Sequence, residues 1–152
     1  MPTESAFTPS QRGQVQTRGS WGHVALLAER QHGVVARRQL VEAGMGSNAV
    51  DNGLRAGRLH RLHPGVYALG HRVVSREGHW MAAVLAGGAR SVLSHRTAAA
   101  LWGIAAHSGP IEVTSPRSTR SRVEIRRHCV PLPPDEVTVV DGIPVTSSHR
   151  TL

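Results

Sequence analysis

SNAVDNGLRAGRLHRLHPGVYAL, residues Ser47 to Leu69, decides the fold. It reads as a short helix, a tight exit and a two-stranded ribbon turning at Pro64-Gly65. Ser47 is the expected N-cap, since its hydroxyl can accept from an orphan N–H of the first turn. Val50 and Leu54 stand four apart and are expected to face inward. Asn48, Asp51, Asn52 and Arg55 then fall on the outward side. Gly57 sits where a positive φ stops a helix. Leu59, Leu62, Val66 and Leu69 are the apolar strand positions. From Asp51 to Glu77 no further acidic residue intervenes, while Arg55, Arg58, Arg61, Arg72 and Arg76 lie between, with His60, His63 and His71. Gly53, inside the helix, is out of character and costs about 1 kcal/mol against alanine.

Working outward, Trp21–Gln31 carries an apolar stripe of Val24, Leu27 and Ala28, with Trp21 stapling its start and His32-Gly33 closing it. Val34-Val35 is a short extended piece able to pair with the ribbon. Arg37–Ala43 is a second helix, with Leu40 and Val41 inward and Gly44 as its stop. Ala36 is a poor cap for that helix. Met45-Gly46 turns into the third helix. Helix, turn, helix and basic ribbon is the order of a winged helix-turn-helix, a DNA-reading unit, expected over residues 21–71. Residues 1–20 are polar and are expected to be a flexible arm.

After a mixed stretch over 71–77 the pattern changes. His79–Leu85 is an apolar helix ending at Gly87-Gly88. Arg90–Leu93 is a short strand. His95–Trp102 is an alanine-rich helix with Ser94 as cap and Gly103 as stop. Pro110–Ser115 and Arg122–Val130 alternate as strands, with Val123 and Ile125 expected on one face. Val137–Val140 and Ile143–Thr146 flank Asp141-Gly142, a hairpin signal. Thr146-Ser147-Ser148 is cap chemistry with little helix behind it. The fold class is therefore α+β: a winged helix-turn-helix followed by a small mixed α/β module over 78–152. That module is expected to stop short of a longer chain's continuation.

The chain has 152 residues, a formal net charge of +8 and no lysine, so all 18 of its basic residues are arginine. A GC-rich coding sequence produces that bias; arginine also suits phosphate and guanine. The positive excess favours polyanions. One cysteine, Cys129, excludes an intramolecular disulfide and is expected as a packed thiol. No run is long and apolar enough for a membrane span, and no secretion signal opens the chain, so the expectation is cytoplasmic.

The residues expected on a major groove are Ser47, Asn48, Asp51, Asn52 and Arg55, because amides suit adenine and guanidinium suits guanine. Arg58, His60, Arg61 and His63 of the ribbon are expected on phosphate or in the minor groove. Arg37 and Arg38 open the second helix and are expected on phosphate. Arg117, Arg120, Arg122, Arg126 and Arg127 form a second basic run, which either extends the DNA footprint, meets an acidic partner or is a solvated loop and strand edge. Histidines 60, 63 and 71 lack a cysteine or close carboxylate, so no metal site is expected. Ser94-His95 and Ser148-His149 lack an orienting third group, so both serines are expected to cap helices. Trp102 is expected in the core. No phosphate loop and no catalytic acid pair is present, so neither an enzyme nor a cofactor is expected.

VARRQLVEAGMGSNAVDNGLRAGRLHRLHPGVYALG, SVLSHRTAAALWGI, IEVTSP and GIPVTSSHRTL together resemble proteins of the AbiEi antitoxin type. The resemblance runs from about residue 21 onward. It implies a winged helix bound to the protein's own operator, repressing a type IV toxin–antitoxin operon. It also implies a nucleotidyltransferase toxin as functional partner. Homodimeric or paired binding to repeats in double-stranded DNA is expected on a separate ground, since one small wing reads few base pairs. Two other readings stay open. One is the DNA-targeting part of an endonuclease-like protein whose catalytic domain is missing. The other is a toxin-binding interaction module.

Overall fold

A computed structural model describes the backbone of residues 9–117 and 121–152, and side chains from residue 20 onward within those spans. Three helices come first: α1 (Pro9–Arg30), α2 (Arg37–Glu42) and α3 (Ser47–Arg55). They pack on a three-stranded antiparallel sheet of β1 (Val34–Ala36), β2 (Leu59–His63) and β3 (Val66–Leu69), in the order β1-β3-β2. Winged-helix order and the pairing of Val34-Val35 with the ribbon are both as expected. The helix α1 starts at Pro9, inside the stretch expected as an arm; residues 1–8 lie outside the described residues.

Local chemistry sets the boundaries. Gly33, Gly44 and Gly57 all take positive φ, at 85°, 88° and 75°, and end their helices. The cap of α3 is Gly46, not Ser47, which is its first helical residue. Ala36 has no side-chain acceptor, and Gln39 Oε1 instead takes the Ala36 N–H at 2.9 Å. The amides of Gln31 and Gln39 also bond each other reciprocally, at 3.0 and 2.7 Å, which ties the end of α1 to α2. Leu40 is fully buried, whereas Val41 is 58% exposed and does not face inward. A six-residue helix has one narrow buried stripe, and Leu40 fills it.

Helix α4 (Arg76–Ala86) follows, capped by Ser75 Oγ accepting from the Gly78 N–H at 3.0 Å. It begins inside the mixed stretch over 71–77, which carried no helix expectation. Six of its residues, Trp80 to Leu85, are buried without a break. The reason is that α4 lies between two sheets. The second is five-stranded, in the order β6-β5-β4-β8-β7. Its strands are β4 (Val92–Leu93), β5 (Ile111–Ser115), β6 (Ile125–Cys129), β7 (Val137–Val140) and β8 (Ile143–Thr146). Asp141-Gly142 turns the β7–β8 hairpin with both residues at positive φ, 52° and 75°. Helix α5 (His95–Leu101) and the terminal α6 (Ser148–Thr151) complete the fold.

Two cores result. Val24, Ala28, Val35, Leu40, Val50 and Tyr67 fill the space between α1–α3 and the first sheet. Val34, Ala36 and Val66 from the other face of that sheet join Trp80, Leu93, Val113 and Val145 in the second core. The two expected modules are thus fused across α4, and both faces of the first sheet are covered. His32 Nε2 meets the Asp141 carbonyl at 2.7 Å, fastening the β7–β8 turn to the end of α1. Val123 is 95% exposed, because β6 starts only at Ile125, so the two do not share a face. Cys129 is exposed at the end of β6 and is not a packed thiol. Trp102 is half-buried against the second core, its indole N–H donating to the Thr146 carbonyl at 2.9 Å.

Candidate nucleic-acid interface

Helix α3 is amphipathic in the expected sense. Val50 and Gly53 are buried and Leu54 is half-buried, while Ser47, Asn48, Asp51, Asn52 and Arg55 are exposed. Gly53 now has a reason. A Cβ there would stand 2.8 Å from Trp21 Cη2 and 3.2 Å from Leu59 Cδ1. Trp21, inside α1, therefore packs its six-membered ring against α3 instead of stapling a helix start. The Arg58 guanidinium lies over the same indole, 5.5 Å from its centroid. Trp21, Gly53 and Arg58 share with Asn48 and Asn52 the lining of an open groove of about 530 Å³. This is an apolar floor, edged by amides and a cation.

The ribbon divides its side chains between two faces. Register pairs Arg61 with Tyr67 and Tyr67 with Val35, and these last two belong to the α1–α3 core. Arg61 is thus on the side of α3, and it is exposed. Register pairs His60 with Ala68 and Ala68 with Val34, which is in the α4 core. Leu62 follows onto that core by alternation, and a bulge between Arg61 and His63 sets His63 opposite Val66 on the same face. His60 and His63 are half-buried on this second face. Burial lowers the pKa of His63, Glu124 opposes that, and Arg122, His79 and Arg127 add to it. His63 therefore faces the second module and not the groove side.

Arg38, expected on phosphate, and Arg127, of the second basic run, both make contacts inside the fold. Arg38 Nη1 donates to the Leu85 carbonyl at 3.1 Å, and Arg127 Nη2 to the Ala86 carbonyl at 3.1 Å. Both cap the negative end of α4. Arg37 is half-buried, with Nη1 3.4 Å from the Tyr67 hydroxyl at the foot of the ribbon. Arg117, Arg122 and Arg126 are exposed, and Arg120 lies outside the described residues.

Away from the ribbon the structure assembles a group that sequence spacing did not reveal. His95, Glu112 and His128 place ligand-type atoms all within 4.8 Å of one another. Ser94 stands at the N-cap of α5 but makes no cap bond, contrary to expectation. Its Oγ lies 3.0 Å from His95 Nδ1. Glu112 Oε2 takes over the capping, accepting from the Arg96 N–H at 3.0 Å. Glu112 Oε1 faces His128 Nε2 at 3.2 Å. Burial works to raise the Glu112 pKa, but the Arg96 N–H and His128 outweigh it and hold the carboxyl below its ordinary value. The one hint in the sequence was the Ser94-His95 pair. Ser147, not Ser148, caps α6, with its Oγ accepting from the Arg150 N–H at 3.4 Å. Histidines 60, 63 and 71 form no such group among the described residues.

No helix among the described residues is long and apolar enough to cross a membrane. Residues 24–70 match the family model described as "Transcriptional regulator, AbiEi antitoxin". That span opens in α1 and ends just past β3, so it covers the three-helix-and-ribbon unit and stops before α4. No curated protein matches the chain. Among solved structures, the crystal structure of the RV2827C protein from Mycobacterium tuberculosis is similar at 20% identity and a TM-score of 0.40, over 76% of this chain. The match spans 46% of that protein's chain, less than half its length.

Proposed function

We propose, from a first unit that is of the AbiEi antitoxin transcriptional-regulator type over residues 24–70, that the chain binds its own operator DNA and represses its operon. One observation carries this reading. The matched segment is the unit that exposes Asn48, Asn52 and Arg55 on α3, with Arg58 over Trp21 beside that helix and Arg61 on the α3 side of the ribbon. Helix α3 enters the major groove. Asn48 and Asn52 read adenine edges and Arg55 reads guanine, by bidentate geometry. Asp51 accepts from cytosine N4 or keeps that spot clear of phosphate, and Ser47 bonds the backbone at the helix start. Arg58 and Arg61 follow the flanking phosphates or the minor groove, and Arg37 stands at the edge of the footprint. Arg117, Arg122 and Arg126 extend that footprint only if the duplex bends toward the second sheet.

One small unit reads few base pairs, so two copies on repeated half-sites are expected. The functional partner is a nucleotidyltransferase toxin encoded in the same operon, and the place of work is the cytoplasm. The test is a fluorescence-anisotropy titration of the chain's own promoter against a scrambled duplex at fixed salt. Tighter binding to the promoter by about a thousandfold is expected. Equal affinity for the two duplexes overturns the repressor reading.

A further inference from the structure

We propose that His95, Glu112 and His128 form a binding site for a divalent cation of the zinc class. The three come from different elements: His95 opens α5, Glu112 is on β5 and His128 is on β6. Their ligand-type atoms gather within 4.8 Å of one another. Ligands about 2.0–2.1 Å from a tetrahedral zinc stand roughly 3.4 Å apart. Glu112 Oε1 and His128 Nε2, at 3.2 Å, already meet that spacing. His95 is the exposed member of the group, so its ring can swing inward without disturbing the core.

A purely structural account covers only part of this arrangement. It explains Glu112 Oε2, which caps α5 through the Arg96 N–H at 3.0 Å. It leaves His95 without a reason. The His95 ring is stacked on that of His128, with centroids 4.0 Å apart and planes at 27°. Its backbone stands at φ 52°, a left-handed conformation that costs a residue other than glycine. Non-glycine residues held there tend to mark places where function fixes the geometry. Ser94 Oγ, 3.0 Å from His95 Nδ1, fixes one ring nitrogen and leaves Nε2 to face a cation.

The donor set selects the ion. Two imidazoles and one carboxylate suit zinc and its neighbours in the first transition row. Magnesium and calcium prefer oxygen alone. Three protein ligands leave a fourth position open. His95 and His128 also line a cavity of about 200 Å³, together with Ser94, Thr114, Thr146, Arg150 and Thr151. That is room for water or a small anion. Loading the site clips α5 to the edge pair β5–β6 and steadies the second module.

The test uses the full chain without an affinity tag, stripped by chelator and titrated with cobalt(II), then with zinc(II). Expected are about one equivalent of cobalt, visible d–d absorption of a four- or five-coordinate ion, displacement by zinc and a raised melting temperature. His95→Asn keeps a residue that tolerates positive φ. Glu112→Gln keeps an oxygen for the Arg96 N–H. Both variants should hold the wild-type far-ultraviolet circular dichroism and lose the stoichiometric binding. A His60→Asn/His63→Asn double variant should retain it. Absence of saturable cobalt absorption in the wild type overturns the proposal. So does binding that survives His95→Asn, or binding lost only in the His60/His63 variant.

Discussion

Arg38 and Arg127 converge on the same helix end. The first reaches the Leu85 carbonyl from α2 and the second the Ala86 carbonyl from β6, each at 3.1 Å. Together they supply cations to the C-terminus of α4, where unpaired carbonyls and the helix dipole concentrate negative charge. One comes from each module, so the pair fastens the wing unit to the second sheet through α4. Arg127 is also partly desolvated, and burial, with Arg122 beside it, lowers its pKa. Arg38→Ala and Arg127→Ala should each cost about 1–2 kcal/mol of stability, as for a half-buried hydrogen bond from a charged donor. Urea unfolding measures this. If Arg38 served phosphate instead, its removal would leave stability unchanged and flatten the salt dependence of DNA binding.

The α4 contacts of Arg38 and Arg127 were hidden from sequence reasoning for a physical reason. An arginine at a helix start, as Arg38 is, or on a strand, as Arg127 is, shows no partner until the facing surface is known, and α4 supplies that surface from 47 residues away in one case and 41 in the other. Legible features were those with local causes. Gly44, Gly57 and Asp141-Gly142 need positive φ, and they sit at their turns. Val50 and Leu54 follow helical spacing. Long-range placement stayed hidden. Nothing local says that Val66 and Leu62 meet α4 while Tyr67 meets α1–α3. The group of His95, Glu112 and His128 is assembled by a parallel β5–β6 register, which only the sheet order reveals.

The two faces of the ribbon make opposite predictions for its cations. Arg61→Ala should weaken binding to every duplex and lower the slope of log K against log salt by about 0.9. His63→Ala and His60→Ala should leave that slope unchanged, because both side chains lie on the α4 side. Titrations at several salt concentrations separate the cases. Equal slopes for wild type and Arg61→Ala would remove Arg61 from the phosphate contacts.

Asn52 tests base reading apart from phosphate binding. Its side chain is exposed on α3 beside the Trp21 floor. Asn52→Ala should cost about 1–3 kcal/mol on the preferred site and little on scrambled DNA, since a bidentate contact discriminates without carrying net charge. A uniform loss on both duplexes would assign it a structural part.

His63 gives the fold a pH dependence of defined sign. Its pKa lies below the ordinary 6.5 in the folded chain, first through burial. The unfolded chain therefore takes up this proton at higher pH than the folded one. The contribution is complete above the ordinary value and is lost as pH falls toward and through the lower folded pKa. Chemical unfolding followed from pH 8 to pH 5.5 should show wild type losing stability faster than His63→Gln. Parallel curves would mean that the ring is solvated.

Gly53 and Trp21 predict a substitution whose sign reverses with its background. Alanine at an ordinary helical glycine gains about 1 kcal/mol. At Gly53 the new Cβ would lie 2.8 Å from Trp21 Cη2, 3.1 Å from its Cζ2 and 3.2 Å from Leu59 Cδ1. The 2.8 Å approach to the Trp21 ring is the severe one; the 3.2 Å approach to Leu59, 1% exposed, asks for much less movement. Overpacking of this kind costs about 1–3 kcal/mol, so Gly53→Ala should destabilise the chain by roughly 1 kcal/mol net. With Trp21→Ala already present, most of the clash is gone and the helical gain remains. Gly53→Ala should then stabilise that background. A double-mutant cycle by urea unfolding reads the coupling directly. The same loss in both backgrounds would mean that the indole does not rest on α3, and the floor of the proposed DNA-facing groove would go with it.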